Sequence, residues 1–95
     1  MNDFSSSLFL LGKEENLLDV FYEEINSLME VFKDKEFANF FDNKLIKTNE
    51  KKEVIKKHFK DVHKYVFNFL NIIIDEKKED ELMDVFNDFI ELYFE

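Results

Sequence analysis

Apolar residues recur at steps of three and four over most of the chain, which is the spacing of one face of an α-helix. A first helix is expected to begin at Asn2 or Asp3, either of which can cap it, and to end at about Glu15. Its core-facing residues are predicted to be Phe4, Leu8 and Leu11. The next stripe predicts a long second helix; its apolar positions are Leu17, Phe21, Ile25, Leu28 and Phe32.

The middle of the chain predicts two shorter helices joined by a loop. A helix of about two turns is expected over residues 36–43, where Phe37, Phe40 and Phe41 fall on one side. We expect Leu45 and Ile46 to fill the loop with apolar side chains, and Thr48 to cap a fourth helix. The inner face of that helix is predicted to consist of Val54, Ile55, His58 and Phe59.

The segment 65–74 is apolar almost all round, unlike the other segments. A buried strand is the rival interpretation, because three consecutive isoleucines are β-branched. No second segment is suited to pair with such a strand, so we predict a helix over residues 62–76 that is buried on several sides. A last helix over residues 81–94 places one apolar face inwards; its members are Leu82, Phe86, Phe89, Ile90 and Tyr93.

Composition supports helices over sheets. The 95 residues include one glycine, Gly12, and no proline, whereas sheets depend on turns that are rich in both. The length suits one domain. The sequence therefore predicts an all-α fold, a compact six-helix bundle with an apolar central fifth helix, as a single domain over residues 1–95.

The residue types needed for common catalytic and metal sites are scarce. Cysteine is absent, and one glycine cannot build a phosphate-binding loop. His58 and His63 are five residues apart, which puts them on different faces of a helix. We therefore expect no enzyme activity, no cofactor and no metal. No apolar run approaches the roughly 20 residues of a membrane span, so we expect no direct membrane insertion.

Charge is distributed unevenly along the chain. Residues 44–64 carry eight lysines and three acids, a net charge of +5, although the whole chain carries −9. Six of these lysines follow the fourth helix and its exit: Lys51, Lys52, Lys56, Lys57, Lys60 and Lys64. The overall negative charge and the absence of arginine argue against a nucleic-acid partner. We interpret the basic helix as charge balance on a solvated surface.

Two helices carry a second line of residues beside their core stripe. On the fifth helix this line is Asn68, Ile72 and Asp75, and on the first it is Asp3, Ser7, Leu10 and Glu14. Small, apolar and acidic residues in one line suit a groove that binds an amphipathic helix with basic residues. The simpler alternative is that Leu10 and Ile72 are additional core residues. The pattern alone leaves both interpretations open.

The chain resembles the N-terminal domain of the δ subunit of F-type ATP synthases, called the oligomycin-sensitivity-conferring protein in mitochondria. In the opening segment 3–19, Phe4 takes the aromatic position, Ser5 and Ser7 the small ones, and Leu8-Phe9 the pair. Residues 37–55 resemble the third helix, the loop and the start of the fourth helix. Residues 68–93 resemble the last two helices in length and apolar phase.

This resemblance implies a non-catalytic stator adapter. In the family, the domain grips the N-terminal helix of an α subunit at the crown of the catalytic head, between the first and fifth helices, and links it to the peripheral stalk. By position, the resemblance puts Ser7 and Ile72 in the middle of the groove. Helical spacing adds Leu10, Leu11, Glu14, Asn68 and Asp75. The expected location is the cytoplasmic face of a bacterial plasma membrane, and the codons of Lys, Asn, Phe and Ile suggest an AT-rich genome.

The chain departs from the family pattern at two loops and in length. Lys44 stands where a proline is frequent, and Glu76-Lys77-Lys78 replaces an Asn-Gly-Arg turn, so we expect that turn to be looser. Family members are usually about twice as long. Two alternatives therefore stay open: a linker subunit of a specialised F-type-derived ATPase motor that is not a synthase, or an unrelated helical interaction module.

Overall fold

A computed structural model describes residues 2–95, and within that range every regular element is a helix. The six α-helices are α1 (Asp3–Glu14), α2 (Leu18–Val31), α3 (Lys35–Asp42), α4 (Thr48–His58), α5 (Lys64–Asp75) and α6 (Leu82–Phe94). A single 3₁₀ turn, Glu79–Glu81, precedes α6. The predicted all-α fold with six helices is confirmed. None of the helices in the described part of the chain has both the length and the apolar character needed to cross a bilayer.

Side chains cap three of the helices at their N-terminal ends. Of the two candidates for α1, Asn2 is the cap, because its side-chain oxygen accepts a hydrogen bond from the backbone N–H of Phe4 at 2.7 Å. Asp34 caps α3, and the Nδ1 atom of His63 accepts from Tyr65 N–H to cap α5. The expectation for Thr48 is wrong, since it is the first residue of α4 and the cap position has no side-chain bond.

The helices α1 and α5 end in the same way. Asn16 and Lys77, just past the two ends, both have φ of 57°. The N–H of Leu17 bonds to Gly12 C=O at 2.7 Å, and that of Lys78 to Ile73 C=O at 3.0 Å. These are Schellman motifs, in which glycine is the preferred residue at the left-handed position. The turn around Lys77 is therefore closed by hydrogen bonds, contrary to the looser turn that we expected.

The core takes buried side chains from all six helices. The largest set comes from α5: Val66, Phe69, Leu70, Ile73 and Ile74. In α6 the buried residues are Leu82, Val85, Phe86 and Phe89. The α6 helix packs against both α1 and α2, and α4 packs against α5. Helix α5 is thus buried on one broad side, while Asn68, Ile72 and Asp75 remain exposed on the other.

Two predicted core contributions from the middle of the chain are wrong. Leu45 is 92% exposed, so the loop before α4 is not filled by an apolar side chain at that position. His58 is exposed too, which leaves Ile55 and Phe59 as the buried apolar residues at this end of α4. A side chain in a short polar loop has too few neighbours to exclude water from it.

Gly12 is required by a close approach between α1 and α2. A Cβ atom at this position would lie 2.9 Å from Leu18 Cδ2 and 2.9 Å from Phe21 Cδ2. Phe21 is fully buried and cannot move aside freely. The φ angle of Gly12 is not positive. The residue is therefore needed for space and not for its conformational freedom.

Candidate partner-binding groove

Helix α1 packs against α6 and α2, and its side chains also contact α5. On one side, the Phe9 ring meets Phe89 of α6 edge-to-face, with 6.0 Å between centroids. On the other side, the Phe4 ring meets Phe69 of α5 edge-to-face at 6.1 Å. Leu8, between these two contacts, is buried in the core. These contacts fix the rotation of α1 about its axis, so its opposite side faces solvent.

A second contact joins α1 and α5 at the far end of α1. The hydroxyl group of Tyr65 donates a hydrogen bond to Glu15 Oε1 at 3.2 Å. This bond raises the pKa of Tyr65, because the phenolate could no longer donate to the carboxylate. Phe4 thus contacts Phe69, and Glu15 contacts Tyr65, one turn earlier on α5. The seam between α1 and α5 is closed at both ends of α1.

Four of the seven predicted groove residues flank this seam. Ser7 and Leu11 lie between the two contacts, three residues after Phe4 and four before Glu15 respectively, so helical spacing keeps them on the α5 side. Asn68 and Ile72 stand one turn after Tyr65 and Phe69. Ser7, Asn68 and Ile72 are exposed, and Leu11 is half-buried against the core. We define the α1–α5 groove by Ser7, Leu11, Asn68 and Ile72.

The other three predicted residues lie at the margins of the groove. Leu10 is 56% exposed, but its side chain is rotated by about 100° around α1 from that of Leu11 and points further from α5. Asp75 is held by Lys52 of α4, with 2.5 Å between Nζ and Oδ1, which draws it to the opposite edge of α5. Glu14 is exposed beside the end of α1. Ile72, 47% exposed, is the apolar side chain most clearly placed for a partner.

The groove keeps a negative charge at its α1 wall. Asp3 and Glu14 are both exposed, and no lysine among residues 2–95 forms an ion pair with either. Asp75 contributes less negative charge than its position suggests, since Lys52 partly neutralises it. The acidic character thus lies mainly along α1.

The histidines do not form a metal centre. His58 is exposed beside the Phe37 ring, and His63 uses Nδ1 to cap α5. Across residues 2–95, no three His, Cys, Asp or Glu side chains converge where they could hold a metal ion. Ser5 is buried and donates its hydroxyl hydrogen bond to Asn2 C=O at 2.6 Å. That serine serves the helix terminus.

A buried ion pair that was not predicted from the sequence joins α4 to the 3₁₀ turn before α6. Lys51 Nζ lies 2.6 Å from Glu79 Oε2, and the two side chains are 1% and 3% exposed. Lys44 adds a bond to Glu79 Oε1 at 3.0 Å. Burial would raise the pKa of Glu79, but the hydrogen bonds from Lys51 and Lys44 outweigh it and lower the pKa. One signal was available: Lys51 stands four residues before Ile55, on the apolar stripe of α4.

Fold and surface together define a class of protein: a small all-α domain whose most distinctive surface is an apolar, acid-flanked groove between α1 and α5. The comparison with protein families is more specific. The chain belongs to the ATP synthase delta (OSCP) subunit family, whose sequence model matches residues 1–95. This family consists of non-catalytic subunits of ATP synthase. The resemblance found in the sequence is thereby confirmed.

Individual relatives agree with this family. The chain is 27% identical over 92 residues to the "ATP synthase subunit delta, sodium ion specific" of Ilyobacter tartaricus, covering 96% of this chain and 53% of the relative. It is 35% identical over 78 residues to the ATP synthase subunit delta of Caldicellulosiruptor bescii, covering 80% and 43%. For the same subunit of Bacillus thuringiensis the identity is 31% over 90 residues, covering 94% and 50%.

The chain spans about half the length of these curated relatives. No solved structure matches it. The helices described above therefore give the geometry on which the functional argument depends.

Proposed function

We propose that the chain is a stator adapter of an F-type rotary ATP synthase. It binds the N-terminal helix of an α subunit in the α1–α5 groove, at the crown of the catalytic head, and helps to connect that head to the peripheral stalk. It works at the cytoplasmic face of the membrane as a peripheral subunit. The observation that carries this proposal is the half-exposed Ile72 beside a seam that Phe4–Phe69 and Tyr65–Glu15 close.

The physical chemistry of the groove supports a helical partner. Ile72 and Leu11 offer apolar surface, and the small Ser7 side chain between α1 and the partner allows a close approach. Asp3 and Glu14 attract basic residues on the partner and fix its direction. Apolar burial therefore supplies most of the affinity, and the acidic wall of α1 supplies orientation.

The role needs rigidity and slow release instead of chemistry. A shaft that rotates inside the catalytic head exerts torque on the head, and the head turns with the shaft unless it is held. A helix docked in a preformed groove buries an area on the order of 1,200–2,000 Å² in a specific complex of standard size. The two contacts between α1 and α5 hold the groove in shape before the partner arrives.

An NMR titration tests this proposal. The labelled chain is titrated with a synthetic peptide of about the first 20 residues of the α subunit from the same organism, a length that forms a helix of about five turns. We expect chemical-shift changes to cluster at Ser7, Leu11, Asn68 and Ile72. The Ile72→Asp variant should bind at least about tenfold more weakly, because it places a carboxylate in the apolar part of the groove.

Leu45→Asp is the matched control, since it makes the same kind of change at an apolar residue that is 92% exposed. It should leave the titration unchanged. If the peptide caused no shifts at α1 and α5, or if both variants bound like the wild-type chain, the proposed α-subunit site would be wrong.

A further inference from the structure

A cleft lies on the other edge of α5, between its first turns and the end of α4. It encloses about 360 Å³, near the lower limit of ligand-sized pockets. Its floor is apolar and its rim is basic; the lining residues are Phe59, Val62, Phe67, Lys56, Lys60 and Lys64. We call it the lysine cleft. Phe67 stands about 140° around α5 from Ile72, so the cleft and the α1–α5 groove face different directions.

The three lysines of this rim belong to the eight lysines among residues 2–95 that form no ion pair. Five lysines elsewhere form ion pairs with carboxylates: Lys33, Lys44, Lys51, Lys52 and Lys78. Among residues 2–95, Lys56, Lys60 and Lys64 have no carboxylate oxygen within 4.0 Å. Lys64 only approaches the Tyr65 ring, at 5.5 Å. In a chain with 22 acids and 13 lysines, three unpaired lysines around one apolar floor form a concentrated positive site.

A charge boundary runs along Phe59 and Val62. On their other side these two residues line a second cleft, whose lining also includes Glu23, Glu24 and Asp61. A carboxylate on a partner is attracted to the lysine side of this boundary and repelled from the acidic side. The boundary therefore limits where an acidic partner can sit.

From this arrangement we infer that the lysine cleft is a second docking site, which takes an acidic amphipathic helix of a partner protein. One or two apolar side chains of that helix fill the cleft over Phe59, Val62 and Phe67. Its carboxylates pair with Lys56, Lys60 and Lys64. The volume of the cleft fits a few side chains, and its positively charged rim favours a partner with negative charge. The domain then has two sites of opposite preference, one for a basic helix and one for an acidic helix.

The test uses three synthetic peptides and the labelled 95-residue chain. The first peptide is an amphipathic helix with a Leu/Phe stripe flanked by glutamates. The second has the same composition in scrambled order, without the stripe. In the third, lysines replace the glutamates. We expect only the first to shift the amide signals of Lys56, Lys60, Val62, Lys64 and Phe67, with an affinity that falls as salt is added.

Two variants locate the effect. Lys60→Glu should weaken binding of the first peptide about tenfold, because it reverses one charge at the rim. Lys57→Glu is the matched control: it makes the same charge change one residue beyond Lys56, outside the lining of the cleft. It should change the affinity much less. Ile72→Asp should leave this titration unchanged, so the proposals for the lysine cleft and for the α1–α5 groove are tested independently.

Several outcomes would overturn the inference. Equal binding of the scrambled peptide would mean that charge alone attracts it. Shifts at α1 and Ile72 would place the acidic helix elsewhere. Binding of anionic phosphatidylglycerol vesicles that Lys60→Glu abolishes, without binding of the first peptide, would make the cleft a lipid site. A dimer in sedimentation that the same variant dissociates would make a second copy of the chain the occupant.

Discussion

Two regions of this molecule reverse the usual distribution of polar and apolar residues, and they do so in opposite ways. Ile72 in the α1–α5 groove and Leu10 at its margin both expose apolar surface to water. Where α4 meets the 3₁₀ turn, Lys51 and Glu79 are buried charges. The buried charges are satisfied by each other, and by Lys44, within the chain. The exposed apolar residues have no partner within it, so of these two regions only the groove offers unpaired surface to a partner.

The largest effect should come from breaking the buried pair. We expect Glu79→Leu to lower the free energy of unfolding by about 3–5 kcal/mol, because Lys51 is then a buried charge without a partner. Urea unfolding followed by circular dichroism measures this change. Lys51→Met should cost less, since Glu79 keeps its bond to Lys44.

The double variant Lys51→Met/Glu79→Leu serves as the control for this pair. It should recover most of the stability that Glu79→Leu loses, because two apolar side chains can replace a buried pair at little cost. A double variant no more stable than Glu79→Leu would mean that packing around Glu79, and not its charge, holds this end of the bundle.

Acid should affect the same region. The pKa of Glu79 is lowered from its ordinary value of 4.5. Its contribution to stability is therefore complete above that pH, and it is lost as the pH falls through the lower folded value. One group can account for at most about 1.4 kcal/mol per pH unit. Unfolding at pH 3–5 should show a smaller loss for Glu79→Gln than for the wild-type chain, and equal slopes would contradict this assignment.

A substitution in the α1–α5 groove should reduce the stability of the fold less than one in the buried ion pair. Ile72→Asp should lower the free energy of unfolding by only about 1 kcal/mol, since Ile72 is half-exposed and an acid near the end of α5 opposes the helix dipole. Thermal unfolding measures it. A loss as large as that of Glu79→Leu would mean that Ile72 belongs to the core, and the groove would then be wrong.

The smallest expected change is a gain. Lys77 has a left-handed φ of 57°, which is unfavourable for a residue with a Cβ atom. Lys77→Gly should raise the free energy of unfolding by about 0.5–1 kcal/mol, measured by the urea midpoint. Asn16→Gly, at the matching turn after α1, should gain less, because asparagine tolerates this conformation better. Equal gains would show that the identity of the residue matters little in these turns.

The helices could be predicted from sequence because each carries its apolar stripe within its own segment. The second line on α5 could be found in the same way, and Asn68, Ile72 and Asp75 are indeed exposed. The spacing could not predict which residues of α1 and α5 lie opposite each other across the groove. This arrangement depends on how α1 is rotated between Phe69 and Phe89, which tertiary packing decides.

Charged residues were the harder part to predict. Lys51 appeared in the sequence as one of six similar lysines on a solvated face, yet it alone of these six is buried, against Glu79. The contact joins residues 28 positions apart, which no local pattern encodes. The prediction for Leu45 was wrong for the opposite reason. Its apolar character suggested burial, but its loop offers no neighbours to cover it.

Gly12 affects the shape of the α1–α5 groove, although it lies away from the binding surface. Because a Cβ atom there would collide with Leu18 and the buried Phe21, the spacing between α1 and α2 is set by the smallest possible side chain. Helix α1 is also one wall of the α1–α5 groove. Any larger residue at position 12 would push that wall sideways from behind, so the width of the binding surface is controlled at a point that no partner touches.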